Sequence, residues 1–243
     1  LAHDPALDTT ATYWTGEGPT NRYAMFDGSR GSRTVHPSEI VVIVRADGWV
    51  NTATVQNVDA AEIQLTQTDA LEGLVYDETF DMVSDSGILD PFAYCFTPIT
   101  RLSDLTLMEL KPYSDSLIMA RISNPGGNAA CGEFGAGWLR DYGDTQWDGE
   151  IGVQDFSIVD FDEWGAPDVV ERAYARRATP PVIIDTAMVD VVAHDLAELR
   201  ATPSLFVFDD AYNALTIQGF PKDWSIRLGP VKSWLSIEVR GLT

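Results

Sequence analysis

The chain has 243 residues, a formal net charge of −21 and 45% hydrophobic residues, which is too apolar a composition for a disordered protein. The negative charge repels phosphate backbones and so excludes direct nucleic-acid binding as a main function. No apolar run approaches the roughly 20 residues of a membrane-spanning helix, and no basic and apolar leader stands at Leu1. We therefore expect a soluble chain without a membrane span.

The acidic surface uses short carboxylates. Asp outnumbers Glu by 25 to 12, and Arg outnumbers Lys by 13 to 3. Such a surface suits saline water, because at marine ionic strength the Debye length falls to about 4 Å and self-repulsion is screened. A high-GC codon bias gives the same Asp and Arg signature, and the sequence leaves both explanations open.

The first half of the chain predicts short β-strands separated by turns. Residues alternate in polarity or form β-branched runs at 39–45, 50–56, 61–68, 92–97, 105–110 and 117–123. A Pro-Gly-Gly break within 124–128 then predicts a domain boundary. We expect residues 1–128 to form a β-sandwich and residues 129–243 to form a second domain.

The second domain is predicted to begin with an acidic arm at 133–171. This segment holds eleven carboxylates and one basic residue, Arg140, and we expect it to contain a protruding hairpin.

One stretch, 187–200, has the apolar spacing of a helix. Its apolar residues are Val189, Val192, Leu196 and Leu199, which recur at three- and four-residue steps and are expected to pack on a sheet. Asp185 or Thr186 is the expected N-cap, and Pro203 follows the helix. Strands are predicted around it at 182–184, 205–208, 214–219, 224–228 and 231–239. The predicted fold class is all-β with one packed helix.

Motifs for catalysis are missing from the sequence. His3, His36 and His194 are the only histidines, and no Gly-x-Ser-x-Gly, His-Glu-x-x-His or Walker loop occurs. Cys95 and Cys131 are too few for a disulfide framework or a four-ligand metal site, and we interpret them as buried thiols. The sequence therefore predicts no enzyme, no cofactor and no metal.

Two acidic clusters leave weaker alternatives open. Asp160, Asp162 and Glu163 stand beside Trp164 and form a candidate glycosidase cluster, although the following Gly and Pro favour a hairpin tip. The acids between 141 and 150 do not have EF-hand spacing, but an irregular calcium site built from loops stays open.

Exposed tryptophans near turns are candidate sugar contacts, because sugar rings stack on indole faces. Trp14 and Trp49 are the candidates for binding a glycan. A β-sandwich core also needs large aromatic side chains, so a core role is the alternative for each of them.

Several segments, in order along the chain, resemble a tail protein family of siphophages and prophages. In the N-terminal half they are 18–28 (GPTNRYAMFDG), 38–44 (SEIVVIV) and 50–58 (VNTATVQNV). In the C-terminal half they are 170–177 (VERAYARR), 199–203 (LRATP), 219–225 (GFPKDWS) and 236–243 (SIEVRGLT). The first domain is also similar to galactose-binding-like jelly rolls, and the second is similar to the tail-tube and distal-tail fold.

The resemblance implies a structural component of a tailed bacteriophage tail tip or baseplate. Its expected partners are other tail proteins (tube, hub and fibre) and further copies of itself in a homo-oligomeric ring. It is expected to be made in the host cytoplasm and carried in the virion tail. The alternative function is a carbohydrate-binding module that recognises a host-surface glycan.

Overall fold

The computed structural model describes residues 19–84, 90–161, 163–209 and 212–242. Most of these residues lie in β-strands, and one α-helix longer than two turns packs on the strands. This confirms the predicted all-β class with one packed helix. None of the helices in the described ranges is both long and apolar enough to span a membrane.

The N-terminal half folds into two antiparallel sheets. Its elements, after a 3-10 helix at Asn21–Phe26, are β1 (Thr34–Arg45), β2 (Thr52–Gln56), β3 (Glu62–Asp69), β4 (Gly73–Asp81), β5 (Val83–Ser84), α1 (Pro91–Phe96), β6 (Thr100–Arg101), β7 (Leu105–Leu107), β8 (Ser116–Cys131) and β9 (Glu133–Gly137). The larger sheet has the order β1-β8-β3-β4 and the smaller has the order β7-β2-β9, while β5 and β6 form a short separate pair.

The two sheets share one hydrophobic core, which makes this half a β-sandwich. Ile63 on β3 and Ile122 on β8 enter it from the larger sheet, and Val55 on β2 and Phe134 on β9 enter it from the smaller. Alternation explains the arrangement, because every second side chain of a strand points to the same face.

The predicted boundary at 124–128 falls inside β8. Residues Ser123 and Asn128 both pair with β1, so the Asn-Pro-Gly-Gly segment between them bulges out without ending the strand. The Asn124 side chain closes the bulge by donating to the Asn128 carbonyl at 2.9 Å. Strand β9 then adds Phe134 to the first core. A division at residue 128 would therefore cut a continuous strand and remove part of the sandwich.

The strand predicted at 92–97 is wrong, because this segment forms helix α1. The Asp90 carboxylate accepts a hydrogen bond from the Ala93 backbone N–H at 2.7 Å, and Pro91 occupies the first turn. Both are standard helix-start features, and the Asp-Pro pair was the signal for them.

The C-terminal half forms a curved sheet with one helix. Its elements are β10 (Asp144–Thr145), β11 (Glu150–Asp155), β12 (Ile158–Phe161), β13 (Pro167–Val170), β14 (Tyr174–Thr179), β15 (Pro181–Asp185), α2 (Val189–Glu198), β16 (Ser204–Val207), β17 (Thr216–Arg227) and β18 (Lys232–Gly241), with 3-10 turns at Thr186–Met188, Leu199–Ala201 and Asn213–Leu215. Strand β18 lies at the centre and pairs with β14 and β15 on one side and with β17 on the other. Strands β12 and β13 pair with each other as a separate hairpin.

Helix α2 packs on the inner face of this sheet. Val192 and Leu196 are buried in the second core, and Val189 packs against it. Leu199 lies half-buried in the following 3-10 turn. The predicted cap is wrong, because neither Asp185 nor Thr186 caps the helix. The Thr186 hydroxyl instead donates to the Gly229 carbonyl at 3.0 Å.

The strands predicted at 214–219 and 224–228 are a single strand, β17. A register shift between Pro221 and Asp223 lets the strand pass the proline while it stays paired with β18. The bulge explains why the sequence pattern shows an interruption there.

Candidate functional site

A cleft of about 860 Å³ lies between the smaller sheet of the sandwich and the C-terminal sheet; we call it the central cleft. Its walls come from β2, β9, the connection at 138–143, α2, β16, β17 and β18. The volume falls within the range of small-molecule sites, which is about 300 to 1,000 Å³.

The sandwich presents a polar wall to this cleft. Ala53 and Val55 of β2 point into the first core, so Thr52 and Thr54 point the other way. The Thr52 hydroxyl donates to the Leu107 carbonyl at 2.7 Å, and the Thr54 and Thr106 hydroxyls are 3.1 Å apart. These bonds fix the wall in one conformation.

Three side-chain oxygens without a hydrogen-bond donor cluster at one end of this wall. Gln56 on β2 stands directly opposite Glu133 on β9, and the Gln218 amide from β17 donates to Glu133 Oε1. Gln56 Oε1, Glu133 Oε2 and Gln218 Oε1 are buried, and the described residues supply no partner for them. Burial raises the pKa of Glu133, although the bond from Gln218 opposes the shift.

A second polar cluster ties the 138–143 connection to α2. Asp195 accepts hydrogen bonds at Oδ2 from Arg140 Nη1 at 2.5 Å and from the Tyr142 hydroxyl at 2.8 Å. Both bonds lower the pKa of Asp195, while burial and the bond to Asp195 raise the pKa of Tyr142 to about 12. Asp195 therefore stays ionised and paired, and it holds the cleft wall in place.

An aromatic side chain stands at the mouth of the cleft. Trp138 follows β9 and is 51% exposed. The backbone of the next residue, Leu139, is held by the Asn51 side chain, which accepts from the Leu139 N–H at 2.6 Å and donates to the Leu139 carbonyl at 3.1 Å.

The predicted glycan contact Trp49 does not line this cleft. Trp49 is 63% exposed before β2 and is not among the lining residues, and Trp14 lies outside the described residues. Of the predicted helix residues, Leu196 and Leu199 line the cleft, whereas Val189 and Val192 belong to the second core.

Neither Asp160 nor Glu163 of the candidate glycosidase cluster lines the central cleft. Asp160 and Glu163 are exposed on the β12–β13 hairpin, and Asp162 lies outside the described residues. Within the described ranges, no three His, Cys, Asp or Glu side chains come together as a metal-binding group. The two cysteines also differ, because Cys131 is buried and Cys95 is exposed, so the interpretation of both as buried thiols is wrong for Cys95.

Sequence reasoning did not pair Glu133 with Gln218. The available signal was the strand sequence Glu-Phe-Gly-Ala-Gly at 133–137, because glycines inside a strand mark places where another group approaches closely. Gln218 lies 85 residues away from Glu133, and nothing in the local pattern links the two.

Comparison with protein-family models, curated proteins and solved structures gives no match to this chain.

Proposed function

We propose that the chain is a structural component of a tailed bacteriophage tail tip or baseplate, which forms ring contacts with other tail proteins. The proposal combines the sequence resemblance with one structural observation, the exposed apolar β12–β13 hairpin. In this role the chain is made in the host cytoplasm and carried in the virion tail. Tube, hub and fibre proteins and further copies of the chain are its proposed partners. The sandwich and the helix-covered sheet are compatible with galactose-binding-like and tube-like units.

The hairpin presents one wholly apolar face. Val159 pairs with Val169, and Phe161 pairs with Pro167, so these four side chains share a face. Every residue of both strands is exposed. An isolated two-stranded hairpin is only marginally stable in water. Burying this face against a neighbouring subunit would stabilise it at roughly 25 cal/mol per Å² of apolar surface.

The opposite face of the hairpin carries two like charges, for which the described residues supply no ion-pair partner. Asp160 lies directly opposite Asp168, and like charges at such positions destabilise a hairpin. A basic group on a neighbouring subunit, or high salt, would relieve the repulsion. The hairpin is therefore suited to a complex more than to an isolated chain.

An open sheet edge lies beside the hairpin. Strand β11 pairs only with β14 among the described residues, and its Ile151 and Val153 are exposed. Natural edge strands usually carry charged residues that prevent pairing, as β4 does with Asp77, Glu78 and Asp81. The edge of β11 lacks this protection at its centre, which favours pairing with another subunit.

The proposal is tested by light scattering of the purified chain at low and at seawater salt. We expect multiples of 26.7 kDa to appear as salt screens the net charge. Val159→Asp places a charge on the apolar face of the hairpin and should abolish association. The control is Leu71→Asp, which adds the same charge at an exposed turn outside the hairpin and should not change association. A monomer at both salts would contradict the homo-oligomeric ring.

The alternative function, glycan recognition, has one observation in its favour at the predicted position. The exposed indole of Trp49 is available for stacking on a sugar ring. Glycan-array binding that Trp49→Ala abolishes would support that alternative, and binding that is unchanged would remove Trp49 from it.

A further inference from the structure

Arg177 lies next to the open edge of the C-terminal sheet and has no acidic partner among the described residues. It stands on β14, between Gly152 of the edge strand β11 and Arg240 of β18. Like charges directly opposite each other are unfavourable, and no described carboxylate forms an ion pair with either arginine. The charge of Arg177 is therefore available to an acidic group that approaches the sheet edge.

The glycine opposite Arg177 allows its guanidinium group to reach that edge. A Cβ atom built on Gly152 would lie 4.0 Å from both Nε and Nη2 of Arg177, so the guanidinium group lies over this glycine. Glycine inside a strand weakens the strand and often marks a place where another backbone approaches closely. A bulkier residue at this position would stand between the arginine and the edge.

Strand β11 itself carries a matching acid, two residues before the glycine. Glu150 is exposed and shares a face with Gly152, because alternate residues of a strand point to the same side. Opposite residues of an antiparallel pair also share a face, so two copies of β11 related by a twofold axis must be centred on one residue. Centring the pair on Ile151 places the partner's Glu150 directly opposite Gly152, in line with Arg177.

The two neighbouring registers lack this match. Centring the pair on Gly152 brings the two Arg177 guanidinium groups towards each other. Centring it on Val153 places Ile151 opposite the partner's Asp155. Repulsion disfavours the first register, and an apolar side chain beside a carboxylate disfavours the second. Charge complementarity therefore selects the register centred on Ile151.

We propose that β11 pairs with β11 of a second copy of this chain, antiparallel and about a twofold axis through Ile151. The inference rests on the assembly proposed above and names the partner of its β11 edge. The Cα atoms of Arg177 and the partner's Glu150 are then two strand spacings apart, about 10 Å, which an arginine and a glutamate side chain together span. The twofold axis makes two such ion pairs.

Apolar surface supports the same pairing. On the other face of β11, the 52% exposed Ile151 meets its own copy at the axis. The β12–β13 hairpin links β11 to β14 along the chain, so its apolar face lies at the end of the same edge and adds to the area that the pair can bury.

Ile151→Cys tests the position of the axis, in a chain that also carries Cys95→Ser to remove the exposed native thiol. Directly opposite Cα atoms in an antiparallel pair are about 4.5 to 5.5 Å apart, which a disulfide can bridge. We expect a covalent dimer after air oxidation at seawater salt, measured as mass under non-reducing conditions. The matched control is Val153→Cys, which is 66% exposed, but whose two copies would lie about 14 Å apart along the strands and should not cross-link.

Arg177→Glu tests the ion pair without introducing a thiol. Both attractive pairs become repulsive, so the dissociation constant of the dimer, measured by light scattering at seawater salt, should rise by about tenfold or more. Adding Glu150→Arg to the same chain exchanges the two charges and should restore association. Arg227→Glu, at an exposed position on β17, changes the net charge equally and should leave the dissociation constant within about twofold of the parent value.

Cross-linking through Ile151→Cys alone, together with restoration by the charge exchange, supports the twofold pair. Chains that associate at seawater salt without this cross-link overturn it and leave the assembly proposed above standing. Cross-linking only in a mixture of Ile151→Cys and Val153→Cys also overturns it, because that result places the axis at Gly152. A cross-linked species whose mass stops at two chains supports the pair and contradicts the ring.

Discussion

Arg176 of the C-terminal sheet donates to Asp104 of the β-sandwich at 3.0 Å, across 72 residues of sequence. The same carboxylate accepts two bonds from Arg30, at 2.5 and 2.6 Å, and one from the Asn57 N–H at 3.0 Å. Asp104 is only 8% exposed, so this buried carboxylate is shared by arginines from both halves of the chain.

Asp104→Asn should destabilise the protein strongly. Breaking a buried ion pair by removing one partner typically costs about 3 to 5 kcal/mol. Because the Arg30 and Arg176 side chains are 18% and 28% exposed, water screens part of the loss, and we expect the lower end of that range. Here the two guanidinium groups of Arg30 and Arg176 would also face each other without the anion between them. Urea unfolding at pH 7 measures the loss. Asp115→Asn is the matched control, because its pair with Arg45 is exposed and its loss should not be measurable.

The stabilisation that Asp104 provides should be present at neutral pH and lost in acid. Burial alone would raise its pKa, but Arg30, the Asn57 N–H and Arg176 together hold the pKa below its usual value. Its contribution is therefore complete above the unfolded-state pKa of about 3.9 and is lost as the pH falls through the folded-state pKa. The stability difference between the parent chain and Asp104→Asn should shrink below about pH 4. A difference that stays constant down to pH 2 would contradict this assignment.

Glu133→Gln should stabilise the protein at neutral pH, by an amount on the order of 1 kcal/mol. Burial raises the pKa of Glu133 above its unfolded value of about 4.3, so the folded state favours the protonated acid. Ionisation of Glu133 therefore does not change the free energy of unfolding at pH values below its unfolded-state pKa. It lowers that free energy by its full amount at pH values above its folded-state pKa. The gain should therefore be seen in thermal unfolding at pH 7 and should vanish near pH 4. Glu150→Gln, at an exposed position on β11, should change neither measurement.

Burial on one face made some elements predictable from the sequence. The three- and four-residue spacing of Val192 and Leu196 predicted helix α2, because a helix on a sheet must bury one stripe. The run at 39–45 predicted part of β1, because a strand that buries one face places every second side chain in the core, as Ile40 does here. In both cases the tertiary contact imposes a period on the local sequence.

The features that do not produce a periodic pattern of apolar residues were not predicted from the sequence. Strand β4 was missed because it lies at a sheet edge and most of its side chains are exposed, so no apolar alternation marks it. The cleft was missed because Glu133 and Gln218 meet only after two sheets have folded. Trp49 and Trp138 both stand near turns in sequence, and only the fold places Trp138 at the cleft.

The two thiols should differ sharply in reactivity. Burial raises the pKa of Cys131 to about 12, and its Sγ lies 3.6 Å from the Glu133 carbonyl that it contacts. Cys95 is exposed on α1. Because the thiolate is the reactive species, a disulfide reagent at pH 8 should modify one thiol per native chain, and Cys131 should react on the order of 100-fold more slowly. Cys95→Ser should remove the fast reaction, and a second fast thiol in the parent chain would contradict the burial of Cys131.

Truncating the buried stripe of α2 should be costly, and truncating its exposed side should not. Leu196 is almost fully buried between the helix and the sheet, so Leu196→Ala leaves a cavity and should lower the free energy of unfolding by about 2 to 5 kcal/mol. Val191 lies on the exposed side of the same helix, and Val191→Ala should stay within about 0.5 kcal/mol of the parent chain. Urea unfolding of both variants measures the difference, and the Ala substitutions do not disfavour the helix itself. Equal losses for the two variants would show that α2 does not pack on the sheet through Leu196.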